Sequence, residues 1–315
     1  MKIKITVIGA GAVGATTAYS LLMGGTAAEI LLIDINAPKA YGEALDMKQA
    51  TPYLRNCDIK SGDYCDAVGS DIVVITSGAP RKPGQTRLEL AQINVNIAKD
   101  IAENIVKYAP DALYVIVANP VDIITYAFQK YTGLPKNRVI GSGTMLDTIR
   151  LRTRLAELYH VNQKQIHANV LGEHGDSSFV VWSSATVAGV PLDVYGKCLR
   201  EGAEKPLAYT HEEVEEYVKK SGGRIIERKG NTTYGIATSV MNMVKSFSGA
   251  ESTILTVSSL LDGEYGLKDV CLSTLALIGS NGIVSTIEQP LSDEEMVRMQ
   301  ASANKLKEII KGIQF

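Results

Sequence analysis

The sequence predicts an α/β protein, with a doubly wound parallel sheet in its first half followed by an α+β second lobe. Three observations carry that expectation. A β-branched run from Ile3 to Ile8 ends in glycines at 9, 11 and 14 and passes directly into a stretch that favours helix. Further short apolar runs then alternate with helical patterns, as a parallel sheet with crossover helices requires. Beyond Ile166 the texture changes to strand-like runs separated by Gly, Asn and Asp turns, which favours antiparallel pairing.

Length and composition bound the problem. The chain has 315 residues, more than the roughly 100 to 200 of a usual domain, so two lobes are expected, 1–143 and 144–315, with a soft boundary near Gly143. A hydrophobic content of 45% supplies a sizeable core, and a net charge of -2 provides no basic field for nucleic acid. Partners are therefore expected to be small molecules or further copies of the chain. Cys57, Cys65, Cys198 and Cys271 lack CxxC spacing, which argues against a metal site or disulfide framework and fits a reducing cytosol. No stretch approaches the ~18 apolar residues of a membrane span.

Each element has its own signal. In the first turn, Gly9 permits the tight bend, Gly11 lets the backbone approach a pyrophosphate, and Gly14 lets helix and strand close up. The helix that follows offers its positive end to an anion. A second strand, Ile30 to Ile33, ends in Asp34, 20 residues after Gly14. That spacing suits an acid gripping the ribose 2′-hydroxyl, which favours NAD over NADP in a Rossmann-type lobe.

Val73 to Ile75 and Leu113 to Val117 read as further strands, with a helix patterned from Leu88 to Tyr108 between them. Ligands of such a sheet sit beyond the carboxyl ends of its strands, where Gly78-Ala79 and Asn119-Pro120 fall. Asn119 can equally be no more than a turn residue. The segment from Gly78 to Arg87 holds three cations, two prolines and two glycines, so it reads either as a basic lid or as a solvated surface loop. Asp147 opens another helix, where it can cap the first turn and pair with Arg150 at i+3, and Arg152 and Arg154 follow.

In the second lobe, Ser178 to Trp182, Thr253 to Leu260 and Leu275 to Val284 read as strands. Thr210 with Glu213 and Ser292 with Glu295 form capping boxes for helices running to Lys229 and Lys311.

The chemistry centres on Leu171-Gly172-Glu173-His174-Gly175-Asp176. The chain has 4 histidines. His174, set among glycines, leaves room for a small ligand beside its ring, although a surface-loop histidine is the plainer reading of the segment taken alone. A dinucleotide site supplies hydride chemistry, so the protein must add substrate binding, carbonyl polarisation and a proton. His174 is expected as acid-base, with Asp147 orienting its imidazole. One arginine is expected to grip a carboxylate and another to stabilise the developing alkoxide. The expected substrate is a small 2-oxo or 2-hydroxy acid.

Five motifs in one order carry a family resemblance: GAGAVG at 9–14, KPGQTR at 82–87, NPVD at 119–122, LDTIR at 146–150 and GEHGD at 172–176. Through them the chain resembles the L-lactate and L-malate dehydrogenases over nearly its whole length. The resemblance implies that His174 and Asp147 form the catalytic pair, that Arg150 binds the substrate carboxylate, and that Arg87 arrives with a closing loop to polarise the carbonyl. It implies that Asn119 touches both substrate and cofactor. Val13, Asp34, Lys39, Tyr64, Gly78, Ala79 and Ser142 are then expected around NAD, with Gly9, Gly11 and Gly14.

The resemblance divides over the substrate. Arg81 stands at the position where the family reads a second carboxylate, which favours oxaloacetate and malate. Thr232 matches the threonine that lines the pyruvate methyl pocket in bacterial lactate enzymes, and the rest of the chain resembles those enzymes, so pyruvate and L-lactate are the leading expectation. Gln85, where the lactate enzymes usually carry glutamate, is a further departure. Arg152 and His167 match the positions where allosteric bacterial relatives bind fructose 1,6-bisphosphate across a subunit interface. A homotetramer, or a dimer that tetramerises with the bisphosphate, is implied. An inactive binding homologue and a dehydrogenase of longer 2-oxo acids are the remaining alternatives.

Overall fold

The computed structural model describes residues 3–80, 84–249 and 251–315. In the first half, strands β1 (Lys4–Ile8), β2 (Glu29–Ile33), β3 (Asp58–Ser61), β4 (Ile72–Ile75), β5 (Leu113–Ile116) and β6 (Val139–Gly141) are all parallel, in the spatial order β3-β2-β1-β4-β5-β6. Helices α1 (Ala12–Met23), α2 (Ala37–Ala50), α3 (Arg87–Ile105) and α4 (Val121–Thr132) supply the crossovers. The chain winds outward from β1 in both directions, so a crevice opens between the carboxyl ends of β1 and β4.

Strand sequence explains why both faces are covered. Ile5, Val7, Ile30, Leu32 and Val74 point into one core, against Ala18, Leu21 and Leu22 of α1. Their alternates Ile8, Leu31, Ile33, Val73 and Ile75 point into a second core, against Ala98, Ile101, Ala102 and Ile105 of α3. Period-2 strands that are apolar at every position require this double cover. Emptying one such site, for example Phe128→Ala in the second core, costs about 3 to 5 kcal/mol.

The second half contributes α5 (Met145–Tyr159), five two-residue strands from β7 (Ile166–His167) and β8 (Val170–Leu171) through β9 (Phe179–Val180), β10 (Thr186–Val187) and β11 (Val190–Pro191), and helices α6 (Leu192–Cys198), α7 (His211–Lys229) and α8 (Tyr234–Ser248). Then come β12 (Thr253–Asp262), β13 (Lys268–Gly279), β14 (Gly282–Ile287) and α9 (Asp293–Lys311). Both expected capping boxes form, Thr210 with Glu213 on α7 and Ser292 with Glu295 on α9.

Two strand expectations change. The run from Leu275 to Val284 is not one strand, because the chain reverses between Gly279 and Gly282 and pairs β13 with β14. Ser178 to Trp182 holds only the two-residue β9, and Trp182 already begins a 3-10 turn. Gly279-Ser280-Asn281-Gly282 is the turn inside that run, and Gly282, at φ +90, completes the reversal.

The short strands β7, β10 and β11 form one small antiparallel sheet and β8 with β9 another, but the long antiparallel strands β12, β13 and β14 do not form a sheet of their own. β12 joins the edge of β6 through the pair Ser258 and Gly141, so β12, β13 and β14 extend the parallel sheet to nine strands. Glycine is needed at this seam: a Cβ on Gly141 would lie 2.5 Å from Thr125 Oγ1 and 2.9 Å from Ser258 Cβ. Gly143, just beyond, is pressed equally hard on the backbone of β12. The seam seats α5 at the carboxyl ends of the parallel strands. Among the described residues no helix is long and apolar enough to cross a membrane.

Candidate active site

Two helix N-termini converge on one loop. Asp122 lies in the first turn of α4 and Asp147 in the first turn of α5, positions where the helix dipole favours a carboxylate. The loop between β8 and β9 carries His174 to both. Asp122 Oδ2 accepts the backbone N–H of His174 at 2.8 Å, and Asp147 Oδ2 lies 2.5 Å from His174 Nδ1. The loop is tied from other sides as well, by the Gly172–Ser273 bridge to β13 and by Ser302 of α9, which accepts the Glu173 N–H at 2.8 Å. Glu173 is itself paired with Lys305 at 3.0 Å.

The glycines beside His174 act differently from each other. Gly172 has φ +91, and a Cβ there would meet Ser302 Oγ at 2.9 Å, so its role is to let the loop lie on α9. Gly175 lines the open space beside the ring.

Asp147 serves two partners at once. Its Oδ1 accepts from Arg150 Nη1 at 3.0 Å while its Oδ2 holds His174, so the helical ion pair and the expected catalytic pair share one carboxylate. Asp147 is buried, and the His174 and Arg150 charges hold its carboxyl below the ordinary range although burial opposes them. The Asp147 charge pushes His174 up to about 9, against the opposing effects of burial and of Arg150. With Nδ1 engaged, Nε2 is the ring nitrogen left for a ligand. Among the described residues the other donors of Arg150 form no hydrogen bond.

A cavity of about 280 Å³ collects these groups: His174, Asp147, Arg150, Asn119 and Thr232 line it, with Val13 and Ser142 on the sheet side. Arg87 is the first residue of α3 and is paired with Asp176, another lining residue. Its side chain is half exposed at the rim. Arg81 lies outside the described residues.

The crevice above β1 fits a dinucleotide. Gly9 has φ +102, and a Cβ on Gly14 would stand 1.7 Å from Gly9 O, so both glycines are required by the turn itself. Gly11 is different, because its Cβ would meet nothing within 4 Å. The chain itself gives no reason for glycine there, whereas a pyrophosphate drawn against the uncapped start of α1 does. Asp34, at the end of β2, accepts the N–H groups of Ala10 at 2.6 Å and Asn36 at 2.8 Å, which fixes its carboxylate beside that turn. Lys39 lies in the first turn of α2, Tyr64 opens a 3-10 turn after β3, and Gly78 and Ala79 follow β4. Comparison with known proteins agrees with this geometry. Residues 3–141 match the model of the lactate/malate dehydrogenase NAD binding domain, and residues 144–314 that of the lactate/malate dehydrogenase alpha/beta C-terminal domain.

The chain belongs to the lactate/malate dehydrogenase family.

Relatives within that family are similar from end to end. The L-lactate dehydrogenase of Acetivibrio thermocellus is 47% identical over 310 residues, covering 98% of this chain and 97% of that protein. L-lactate dehydrogenase 1 of Clostridium acetobutylicum is 45% identical over 310 residues, covering 98% of each. Among solved structures, the minor L-lactate dehydrogenase of Enterococcus mundtii in its ligand-bound form superposes with a TM-score of 0.93 at 34% identity, covering 100% of this chain and 99% of that one.

The site also contains residues of this family member that the sequence did not single out. Asn94 is buried on the apolar face of α3, where its Oδ1 accepts the Ala79 N–H at 2.7 Å and its Nδ2 donates to Asn119 O at 2.8 Å. It thereby joins the two loops at the carboxyl ends of β4 and β5. An asparagine falling on a helix's buried stripe was the available signal. Gly222 and Gly223 lie inside α7 and line the cavity, with Arg150 Nη2 3.5 Å from where a Gly222 Cβ would stand. Interior helix glycines cost about 1 kcal/mol each, and of the two only Gly222 has a neighbour, the Arg150 guanidinium at van der Waals distance, since a Cβ on Gly223 would meet nothing within 4 Å. Lys219, Ile226 and Ile236 also line the wall. Away from the cavity, Arg152 donates to Ala168 O and Asn169 Oδ1, each at 3.0 Å, which brings it beside the exposed His167 on β7.

Proposed function

We propose that this chain is an NAD-dependent L-lactate dehydrogenase, interconverting pyruvate and L-lactate. The observation that carries the proposal is the single buried carboxylate of Asp147 holding both His174 and Arg150 against one cavity. Similarity from end to end to proteins named L-lactate dehydrogenase supports pyruvate as the 2-oxo acid.

The division of labour follows from charge and geometry. Arg150 receives the substrate carboxylate in a planar bidentate contact that a lysine cannot reproduce. His174 Nε2 then stands toward the substrate oxygen and donates its proton as that oxygen gains charge. Asp147 keeps the ring oriented and compensates its positive charge. Arg87 leaves Asp176 to meet the developing alkoxide, and Asn119 and Thr232 close the substrate pocket. A bound nicotinamide cofactor would supply the hydride chemistry at the carbonyl carbon. Gly9, Gly11, Val13, Gly14, Asp34, Lys39, Tyr64, Gly78, Ala79, Asn119 and Ser142 would hold that cofactor. Lobe 1–143 holds the cofactor and adds Arg87 and Asn119 to the substrate pocket, and lobe 144–315 supplies Asp147, Arg150, His174 and Thr232.

A malate dehydrogenase is the second reading, and it rests on Arg81. The names of the full-length relatives favour pyruvate over it. Arg152 and His167 form the proposed half-site for a sugar bisphosphate, completed by a second subunit of a cytoplasmic homotetramer. Side-by-side NADH oxidation with pyruvate and oxaloacetate, with and without fructose 1,6-bisphosphate, tests the whole reading. Higher kcat/KM for pyruvate, raised by the bisphosphate, is expected. Preference for oxaloacetate overturns it.

A further inference from the structure

Asp122 is an acid where a neutral residue would suffice for what the fold needs. Its Oδ2 accepts one backbone N–H, that of His174 at 2.8 Å, and an amide or hydroxyl oxygen accepts such a bond equally well. The side chain is only 3% exposed and has no ion pair with lysine or arginine among the described residues, and the one side-chain donor beside it is the neutral Ser258 hydroxyl. Burying a carboxylate so poorly partnered is costly unless a positive charge offsets it. The ring of His174 lies beside it and carries such a charge when protonated.

We infer that Asp122 is a positioning residue for His174, holding its backbone where the imidazole seats on Asp147 and placing a second negative charge behind the ring. The inference deepens the dehydrogenase reading and rests on it for the acid-base role of His174. It also gives the NPVD segment two functions from one turn: Asn119 faces the cavity while Asp122, three residues on, reaches back beneath the histidine loop.

The other charges around the ring are accounted for. From α5, Asp147 and Arg150 act on it with opposite sign. Lys219 of α7 lines the cavity, and Arg87 of α3 is held by Asp176. Within the loop Glu173 is paired with Lys305 of α9. Cys271 of β13 faces Asp122, but burial keeps its thiol neutral. Among the described residues Asp122 is therefore a carboxylate behind the ring whose charge no neighbouring lysine or arginine cancels, and burial pushes its own carboxyl up to about 6.

The test is ring-labelled histidine NMR on the cofactor-free protein, in which 4 histidine signals are present and His174 is assigned by its loss in His174→Gln. Asp122→Asn keeps an acceptor for the backbone N–H and removes the charge, and Asp122→Ser is the second variant should the first not fold. The His174 titration is expected to move down by about half a pH unit or more, with the alkaline limb of pyruvate reduction moving the same way. An unmoved His174 titration in a variant with native circular dichroism overturns the inference and leaves Asp122 a loop anchor. Because the NMR readout needs no turnover, a wild-type protein that does not reduce pyruvate defeats the dehydrogenase reading separately.

Discussion

His174 Nδ1 lies 2.5 Å from Asp147 Oδ2, and that distance links the proposed acid-base group to the proposed substrate anchor, since the other oxygen of the same carboxylate holds Arg150 at 3.0 Å. The two tasks proposed for the site, moving a proton and gripping a carboxylate, are thus aligned by one buried side chain in the first turn of α5. A displacement of Asp147 shifts both groups together, so its removal is felt in binding and in turnover.

Asp147→Asn therefore differs in kind from His174→Gln. Losing the histidine removes the proton donor and is expected to lower kcat about 10²- to 10⁴-fold, with the NADH affinity unchanged. Losing the Asp147 charge frees the ring and also loosens Arg150, so kcat falls while KM for the 2-oxo acid rises. Steady-state kinetics beside NADH fluorescence titration separates the two. Equal KM in both variants would show that Arg150 is placed independently of Asp147.

The pH dependence follows from the upward shift of His174. Reduction of a 2-oxo acid uses the protonated ring, so its kcat/KM is expected to hold through neutrality and decline above about pH 9, while oxidation of the 2-hydroxy acid rises over the same range. The folded value exceeds the ordinary 6.5. The His174 contribution to stability is therefore complete below pH 6.5 and is lost as pH rises through 9. Thermal melts in that window should show a falling Tm for wild type and a flatter curve for His174→Gln. A wild-type curve as flat as the variant's would contradict the shift.

Much of this was legible in the sequence because it is local. The turn at Gly9 to Gly14, the capping boxes at Thr210 and Ser292, and the i,i+3 pair of Asp147 and Arg150 are written in short spacings that one helix or turn can satisfy. The join between Gly141 and Ser258 was not legible, since it links residues 117 apart in the chain through a single pair. Nor was Asp122, whose partner is a backbone N–H that no side-chain pattern announces. The Leu275 to Val284 run misled although its turn is written in it: Gly279-Ser280-Asn281-Gly282 separates the largely buried β13 from the partly exposed β14.

Gly11 and Gly14 should behave oppositely on substitution. Gly14→Ala drives a methyl to within 1.7 Å of Gly9 O, so the strand and helix must separate, and a loss of several kcal/mol in stability is expected. Gly11→Ala meets nothing within 4 Å and should melt within about 0.5 kcal/mol of wild type while binding NADH at least tenfold more weakly. Calorimetry and fluorescence titration read the two effects separately. A Gly11→Ala protein with native NADH affinity would remove the close-approach argument for the crevice.

The pair between Arg87 and Asp176 is expected to be catalytic in consequence but nearly neutral in stability. Both side chains are more than half exposed, and an ion pair in that setting contributes about 0 to 1 kcal/mol, so Arg87 can exchange Asp176 for a substrate oxygen at little cost. Removing an alkoxide-stabilising donor typically lowers turnover about 10²- to 10³-fold. Arg87→Gln should therefore lose that factor in kcat while its Tm stays within a few degrees of wild type. Asp176→Asn, which frees the arginine, should retain far more of the activity than Arg87→Gln. If the two variants lose kcat equally, Arg87 acts only as half of the pair and does not meet the substrate.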